Sequence, residues 1–373
     1  MRVPGLIAHE WIEPFGGSEN VLEAIAAEFP DAPILTPWTN APHRFPDREV
    51  RELWLARSPL RGRKALAMPA LAAAWRTAID PREDLDWVIA SSHSFAHHLK
   101  PRGASRDAAK LVYAYTPARY LWTPELDERG SGIAARLAAT ALRPIDRRRA
   151  AEATAIAGIS RFVADRIAAT WQQDASVIYP PVEVERIRAR ADWRSELEGR
   201  ELGILDDLPD IFVLGASRFI PYKRLDLVID AGEAVGLPVV LAGAGPEEAR
   251  LRARAAAASV PVTFVIQPRD ALLYALYQAA AVFVFPPIED FGIMPIEAAA
   301  LGTPVAANRV GGSAETVGAG VSGVHFDVDD RASIAAAVRR ALELPRDEVV
   351  GWSTQFSRER FGAELREWVA RSS

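Results

Sequence analysis

Short apolar runs rich in Val, Ile, Leu and Phe alternate with helical patterns along most of this chain, and no other feature constrains its fold as tightly. Candidate strands are Val3–Ala8, Trp87–Ala90, Leu111–Tyr115, Ile211–Ala216, Val239–Ala242, Val262–Ile266, Val282–Phe285 and Pro304–Ala307. Helical periodicity fills the intervals, for example over Glu19–Glu28, Leu225–Ala234, Glu247–Ala257 and Ala271–Ala279. Strands that are apolar throughout are buried on both faces, and alternation with helices makes them parallel. The fold class is α/β. A chain of 373 residues exceeds one ordinary core, so two domains are expected. The pattern breaks at Ser176-Val-Ile-Tyr-Pro-Pro-Val182, where Pro180-Pro181 stiffens the chain and cannot continue a helix. The expected domains are therefore residues 1–181 and 182–351. The tail, 352–373, carries an apolar period through Phe356, Phe361 and Trp368 that suits packing on either domain.

Composition narrows the function classes. The formal net charge is −5, so no global basic field favours nucleic acid as a partner. With no cysteine, disulfides, thiolate nucleophiles and Cys-ligated metals are excluded, and a reducing cytoplasm is the expected location. The opening residues turn polar too soon for a signal peptide, and no apolar run approaches a membrane span.

The most informative stretch runs from Pro286 to Val305, Pro-Pro-Ile-Glu-Asp-Phe-Gly-Ile-Met-Pro-Ile-Glu-Ala-Ala-Ala-Leu-Gly-Thr-Pro-Val. It reads as strand end, loop, helix, glycine stop and strand. Pro295 suits a first helical turn and Gly302 a left-handed end, which places Glu297 in that first turn and Glu289 with Asp290 in the loop. The amides of Phe291, Gly292 and Ile293 then open a helix, the ordinary setting for a diphosphate. Two carboxylates flanking an anion site suit sugar and ribose hydroxyls; alternatively Glu297 only caps its own helix.

A second element, Gly215-Ala-Ser-Arg-Phe-Ile-Pro-Tyr-Lys-Arg-Leu225, follows a strand and puts Arg218 and Lys223 where open α/β sheets bind ligands. Together these cations would neutralise phosphates. Leu241-Ala-Gly-Ala-Gly-Pro246 is a glycine turn with Gly243 and Gly245, short of a dinucleotide fingerprint. Gly311-Gly-Ser-Ala-Glu315 is a further strand–glycine–helix junction.

In the first half, Phe15-Gly-Gly-Ser-Glu19 lets the backbone at Gly17 approach a ligand, with Ser18 placed to cap a helix starting at Glu19. His93, His97 and His98 cluster after a strand end, the last two reading as ordinary helix surface. No His-Glu-x-x-His or carboxylate-rich cluster is seen, so neither a metal nor a cofactor is expected. Arg57, Arg61, Arg63 and Lys64 lead into a helical run ending near Arg76, which is either a solvated basic face or a patch for an acceptor phosphate or a membrane surface.

In this order the motifs resemble those of retaining glycosyltransferases of the GT-B fold, family GT4, and in particular its mannosyltransferase-like bacterial members. Glu289 and Glu297 stand at the spacing of that family's E-x7-E motif. Ser217–Arg224 is similar to its phosphate-binding segment, Gly243–Pro246 to its glycine turn, Gly16–Glu19 to its N-terminal glycine loop, and Thr116–Trp122 to a segment of its acceptor half. The likeness runs from about residue 9 to residue 362. It implies two facing Rossmann-like domains with an interdomain cleft, and a C-terminal helix, 352–373, that crosses back to the first domain. It also implies diphosphate contacts from Arg218, Lys223 and the amides after Asp290, ribose on Glu297 and the transferred sugar on Glu289. The donor would be a GDP- or UDP-linked sugar, with mannose first, and the acceptor a saccharide or lipid-linked saccharide near the inner face of a membrane. His93, Arg119 and Ser18 are the acceptor-side candidates.

Two positions depart from the family. Tyr115 stands where many relatives carry a histidine held against the donor sugar, and a tyrosine cannot carry imidazole's charge near neutral pH. Gln267, after Ile266, stands where relatives often have glycine, at the base pocket. Tyr115 keeps a non-catalytic sugar-nucleotide-binding protein open beside the transferase, as are an epimerase or hydrolase on the same fold; the incomplete fingerprint disfavours a nicotinamide oxidoreductase.

Overall fold

The computed structural model describes residues 4–123 and 133–373, without the side chains of residues 133–138. The chain divides into two compact units, Met1–Pro181 with Glu359–Ser373, and Val182–Arg358. The division falls at the proline pair. The return to the first unit starts at Glu359 rather than at 352: helix Arg346–Ser353 packs on helix Ile293–Ala300 of the second unit, and Trp352 donates its indole N–H to the Thr316 carbonyl there.

The first unit holds seven strands: β1 (Gly5–His9), β2 (Ile34–Thr36), β3 (Val50–Glu52), β4 (Trp87–Ser92), β5 (Ala109–Ala114), β6 (Ala155–Gly158) and β7 (Ser176–Val177). Their order is β3-β2-β1-β4-β5-β6-β7, parallel at every pairing. β1, β4 and β5 are buried along their whole lengths, as apolar runs without alternation require. Helix Arg358–Ser372 buries Phe361, Leu365 and Trp368, and Phe361 meets Tyr113 of β5 edge-on at 5.9 Å.

The second unit repeats the plan with β8 (Val213–Ala216), β9 (Val239–Gly243), β10 (Val262–Ile266), β11 (Val282–Phe285), β12 (Val305–Asn308) and β13 (Gly323–Phe326), ordered β10-β9-β8-β11-β12-β13 and again all parallel. Its core gathers Val213, Val228, Ile229, Leu241, Val284 and Val338 from strands and helices alike. Both sheets are doubly wound. In each, strand order reverses beside the first strand, between β1 and β4 and between β8 and β11. Open α/β sheets bind ligands at the carboxyl ends of the strands at such a reversal.

Several boundaries differ from the sequence reading. The strand expected over Ile211–Ala216 begins at Val213, and the helix expected from Glu19 spans Gly17–Glu28. The expected start of β1 at Val3 lies outside the described residues. Strands β2, β3, β6, β7 and β13 were not anticipated; β2, β3 and β7 are too short to show a period.

Candidate functional site

In the second unit the loops after β8 and β11 lie side by side, because those strands are paired. The first ends in the turn Pro221–Lys223, which buries Lys223 and sets its ammonium on the Glu289 carboxylate of the second loop. Arg218 is exposed, 3.5 Å from the Tyr222 hydroxyl, and forms no ion pair among the described residues. One cation is thus engaged with a carboxylate and one stands open at the end of β8.

Backbone packing fixes these loops. Gly243 and Gly245, at φ 142° and 156°, lie against the Ser217–Phe219 backbone, and a Cβ on Gly243 would sit 1.8 Å from the Ser217 carbonyl oxygen. The Phe219 N–H donates to the Ala244 carbonyl at 2.8 Å, and the Glu247 N–H to that of Phe219 at 2.9 Å. The two glycines therefore hold the Arg218 loop in place. On the other side, the Gly312 N–H donates to the Glu289 carbonyl at 2.7 Å, and a Cβ there would fall 2.3 Å from the Phe291 Cα. Gln267 follows β10 in the left-handed region at φ 51°, where a glycine would be unstrained.

Gly292, at φ 95°, is the N-cap of helix Ile293–Ala300, which starts earlier than expected. Pro295 is its third residue, still tolerated because N–H groups there have no intrahelical acceptor. Glu297 accordingly falls in the second turn and makes no cap, which removes the capping alternative. Asp290 and Phe291 are buried just before the helix. The Glu297 carboxylate accepts no hydrogen bond among the described residues. Burial pushes its carboxyl up to about 7, with the Asp270 charge adding to the rise and Arg186 opposing it. Arg186, which donates to the Tyr274 hydroxyl at 3.1 Å, and Asp270 were missed by the sequence reading, since one lies in a short helix far upstream and the other in a neighbouring helix.

In the first unit the corresponding reversal carries His9, Glu10, Trp11, His93 and Tyr115. A carbonyl can only accept, so the Tyr115 hydroxyl donates to the Ser18 carbonyl at 3.0 Å. Ser91 Oγ then donates to Tyr115 at 2.9 Å, and His9 Nδ1–H to Ser91 at 3.0 Å. This chain leaves His9 neutral with Nε2 buried and unpartnered, and burial with the neighbouring His93 holds its pKa well below the ordinary range. Tyr115 has no proton left to offer a ligand; it ties β5 to the start of helix Gly17–Glu28. Ser18 is not a cap either. Gly16 is the N-cap, Gly17 opens the helix, and Ser18 Oγ donates to Glu19 at 2.8 Å.

His93 faces a cavity of about 210 Å3 lined by Trp11, Met68, Ser94, Thr116, Arg119 and Tyr120. Its Nδ1 lies 3.5 Å from Glu10 Oε2, and the buried Glu10 carboxylate also accepts the Ser94 and Ala96 N–H groups at 2.9 and 2.7 Å. His93 and Arg119, both expected on the acceptor side, thus share one cavity.

His97 and His98 are corrected outright. Neither is helix surface; both are buried, donating through Nε2 to Asp146 Oδ1 at 3.0 and 2.9 Å. The indole N–H groups of Trp122 and Trp171 each donate to Asp146 Oδ2 at 2.7 Å. His97, His98 and Asp146 have the donor atoms of a metal site, a grouping invisible in sequence because Asp146 lies in a distant helix. Four N–H donors on one carboxylate read instead as a hydrogen-bonded hub that joins four segments of the first unit. Burial and its histidine neighbour bring the His98 pKa down to about 4 against the pull of Asp146. A folded-state pKa below the unfolded value confers stability that is full above about 6.5 and is lost as pH falls towards 4. This residue alone should remove about 3 kcal/mol over that window, visible as a falling Tm in thermal melts.

Residues 203–362 match the family described as Glycosyl transferases group 1. The chain is 31% identical over 226 residues to a GDP-mannose-dependent alpha-(1-6)-phosphatidylinositol monomannoside mannosyltransferase of Mycobacterium tuberculosis, covering 57% of this chain and 56% of that protein. It is 31% identical over 173 residues to the D-rhamnosyltransferase WbpZ of Pseudomonas aeruginosa, 45% and 41% of the two chains. The chain thus spans about half the length of these curated relatives. Among solved structures it resembles Anabaena Alr3699/HepE in complex with UDP, with a TM-score of 0.70 at 18% identity over 98% of this chain and 100% of that one. Sucrose-phosphate synthase from Thermosynechococcus elongatus gives a TM-score of 0.70 at 19% identity, over 99% of both chains. These likenesses show the fold.

Proposed function

From a chain with the GT-B fold, whose second unit carries a Glycosyl transferases group 1 sequence of the GT4 kind, we propose a retaining, metal-independent hexosyltransferase that draws its sugar from a nucleotide diphosphate. One observation carries the reading: at the β8–β11 reversal Lys223 of one loop is seated on Glu289 of the other, shortly before the helix that opens at Gly292. Arg218, the Lys223 ammonium and the helix-start amides receive the diphosphate, Glu297 the ribose hydroxyls and Glu289 the sugar. As the bond to the anomeric carbon breaks, charge builds on the diphosphate, which these donors stabilise. The leaving phosphate oxygen takes the proton of the acceptor hydroxyl, whose oxygen bonds to the anomeric carbon on the face just vacated, so configuration is kept without a covalent enzyme intermediate. No step assigns work to a metal, since two side-chain cations and a helix start supply the positive charge. GDP-mannose is the first donor to test, after the mannosyltransferase relative.

The first unit supplies the acceptor side. His93, held beside Glu10, presents the imidazole that Tyr115 cannot. Replacing His93 with Ala should lower turnover about tenfold to a hundredfold. Tyr115→Phe, which removes both the bond to Ser18 and the bond from Ser91, should cost about 2 kcal/mol of stability and leave turnover within a few-fold. Equal losses in the two variants would return the role to Tyr115.

The test of the function is incubation with GDP-mannose or UDP-glucose and saccharide acceptors, with EDTA present, followed by NMR of the product. Acceptor-dependent transfer with retained anomeric configuration is expected. Free sugar formed regardless of acceptor would favour a hydrolase, and donor binding without turnover a sugar-nucleotide-binding protein.

A further inference from the structure

Burying a carboxylate is costly, and at Asp146 four N–H donors offset the cost. Apolar side chains would join the same segments without it. What directed hydrogen bonds add is control over the rotation of each ring they hold.

Two of those donors lead to the cavity that His93 faces. The first is His97. Its Nε2–H is given to Asp146, so its Nδ1 accepts, and the Ser92 hydroxyl lies 3.1 Å from it. Ser92 Oγ also takes the His97 backbone N–H at 3.3 Å and stands 3.4 Å from Glu10 Oε1. Glu10 in turn receives the backbone N–H groups of His93, Ser94 and Ala96 at 3.3, 2.9 and 2.7 Å. Its Oε2 is also 3.5 Å from His93 Nδ1. The second donor is Trp122, which ends helix Arg119–Trp122. Arg119 and Tyr120 of that helix line the cavity, and the Tyr120 hydroxyl meets Ser94 Oγ at 2.8 Å. Asp146 therefore reaches two of the chain segments that line the cavity.

Carboxylate, imidazole and hydroxyl stand here in the order of a hydrolase triad. Asp146, His97 and Ser92 are all buried, however, so this hydroxyl meets no substrate. His98 supplies a contrast. It gives Asp146 an equivalent bond at 2.9 Å, but its ring makes no hydrogen bond to Ser92 or Glu10 among the described residues.

We propose that Asp146 and His97 are positioning residues for the acceptor side. Through Ser92 and Glu10 they fix the place of His93, and through Trp122 Asp146 fixes Arg119 and Tyr120. The role of His93 in turnover rests on the transfer reading; the restraint on its ring does not.

Ser92→Ala and His97→Leu cut the path, whereas His98→Leu removes an equivalent bond beside it. The chain has six histidines, and His93→Ala identifies the His93 ring signals in NMR spectra. Those signals should shift in Ser92→Ala and His97→Leu and stay in place in His98→Leu. Ser92→Ala removes no ring, so its shift is not a ring-current effect, and it keeps the test open if His97→Leu does not fold. In transfer assays the first two variants should each lower kcat about tenfold with nucleotide diphosphate affinity unchanged, and His98→Leu should stay within about twofold. Added to His93→Ala, each should cost no more than about a further twofold, since both act through that ring. Unmoved His93 signals in Ser92→Ala overturn the proposal, and so do losses that multiply with that of His93→Ala. Moved signals in a parent that transfers no sugar would uphold the restraint and sink the transfer reading alone.

Discussion

Lys223→Ala should lower kcat for the proposed sugar transfer roughly a hundred- to a thousandfold, the loss found when one preorganised donor to a developing charge is removed. The ammonium is buried and already seated on Glu289. Without it, Glu289 keeps its charge and repels an incoming diphosphate, so KM rises as well. Structure should survive, because Glu289 remains partly exposed and water can take the place of the ammonium. Steady-state kinetics beside a thermal melt separate the two effects. Near-normal turnover would remove Lys223 from the mechanism, and a collapsed melt would make it a structural residue.

Glu297→Gln separates stability from binding in opposite directions. The carboxyl is raised to about 7, chiefly by burial, so its protonated form is the one the fold prefers. A raised pKa means the associated stability is full below the ordinary carboxylate range and is lost as pH rises through 7. The parent thus carries a charge at pH 8 that its surroundings do not reward, and the Gln variant should be more stable there by up to about 3 kcal/mol. Donor affinity should move the other way, falling about a hundredfold through loss of two charge-assisted hydrogen bonds from hydroxyls. In the parent it should tighten as pH rises from 6 to 8. Such a trade of stability for ligand binding is expected of a functional carboxylate. Melts and calorimetric titrations across that pH range check both halves. A variant that is neither stabilised nor impaired would make Glu297 incidental.

The loops after β8 and β11 were legible because each motif is local. Strand, glycine turn and helix start lie within a few residues of one another, so Arg218 with Lys223 and Glu289 with Gly292 could be placed at strand ends before any coordinates. The proline pair likewise marks where the units divide. What the sequence hid was tertiary. Asp146 and its two histidines meet across intervening strands and helices, so His97 and His98 looked like a polar surface and proved to be buried partners. Tyr115 looked like a substitute for histidine, yet its proton goes to Ser18, three-dimensionally adjacent and far off in the chain. Even Glu297 was read one turn early, because a proline that can open a helix stands here at the third position.

The central claim is that a diphosphate is gripped where the β8 and β11 loops meet, and calorimetric titration of the protein with GDP and UDP, each against its monophosphate, tests it most directly. A diphosphate bound at least tenfold more tightly than its monophosphate, an advantage largely erased by Lys223→Ala, is the expected result. Indifference to the second phosphate, or no nucleotide binding at all, would contradict it.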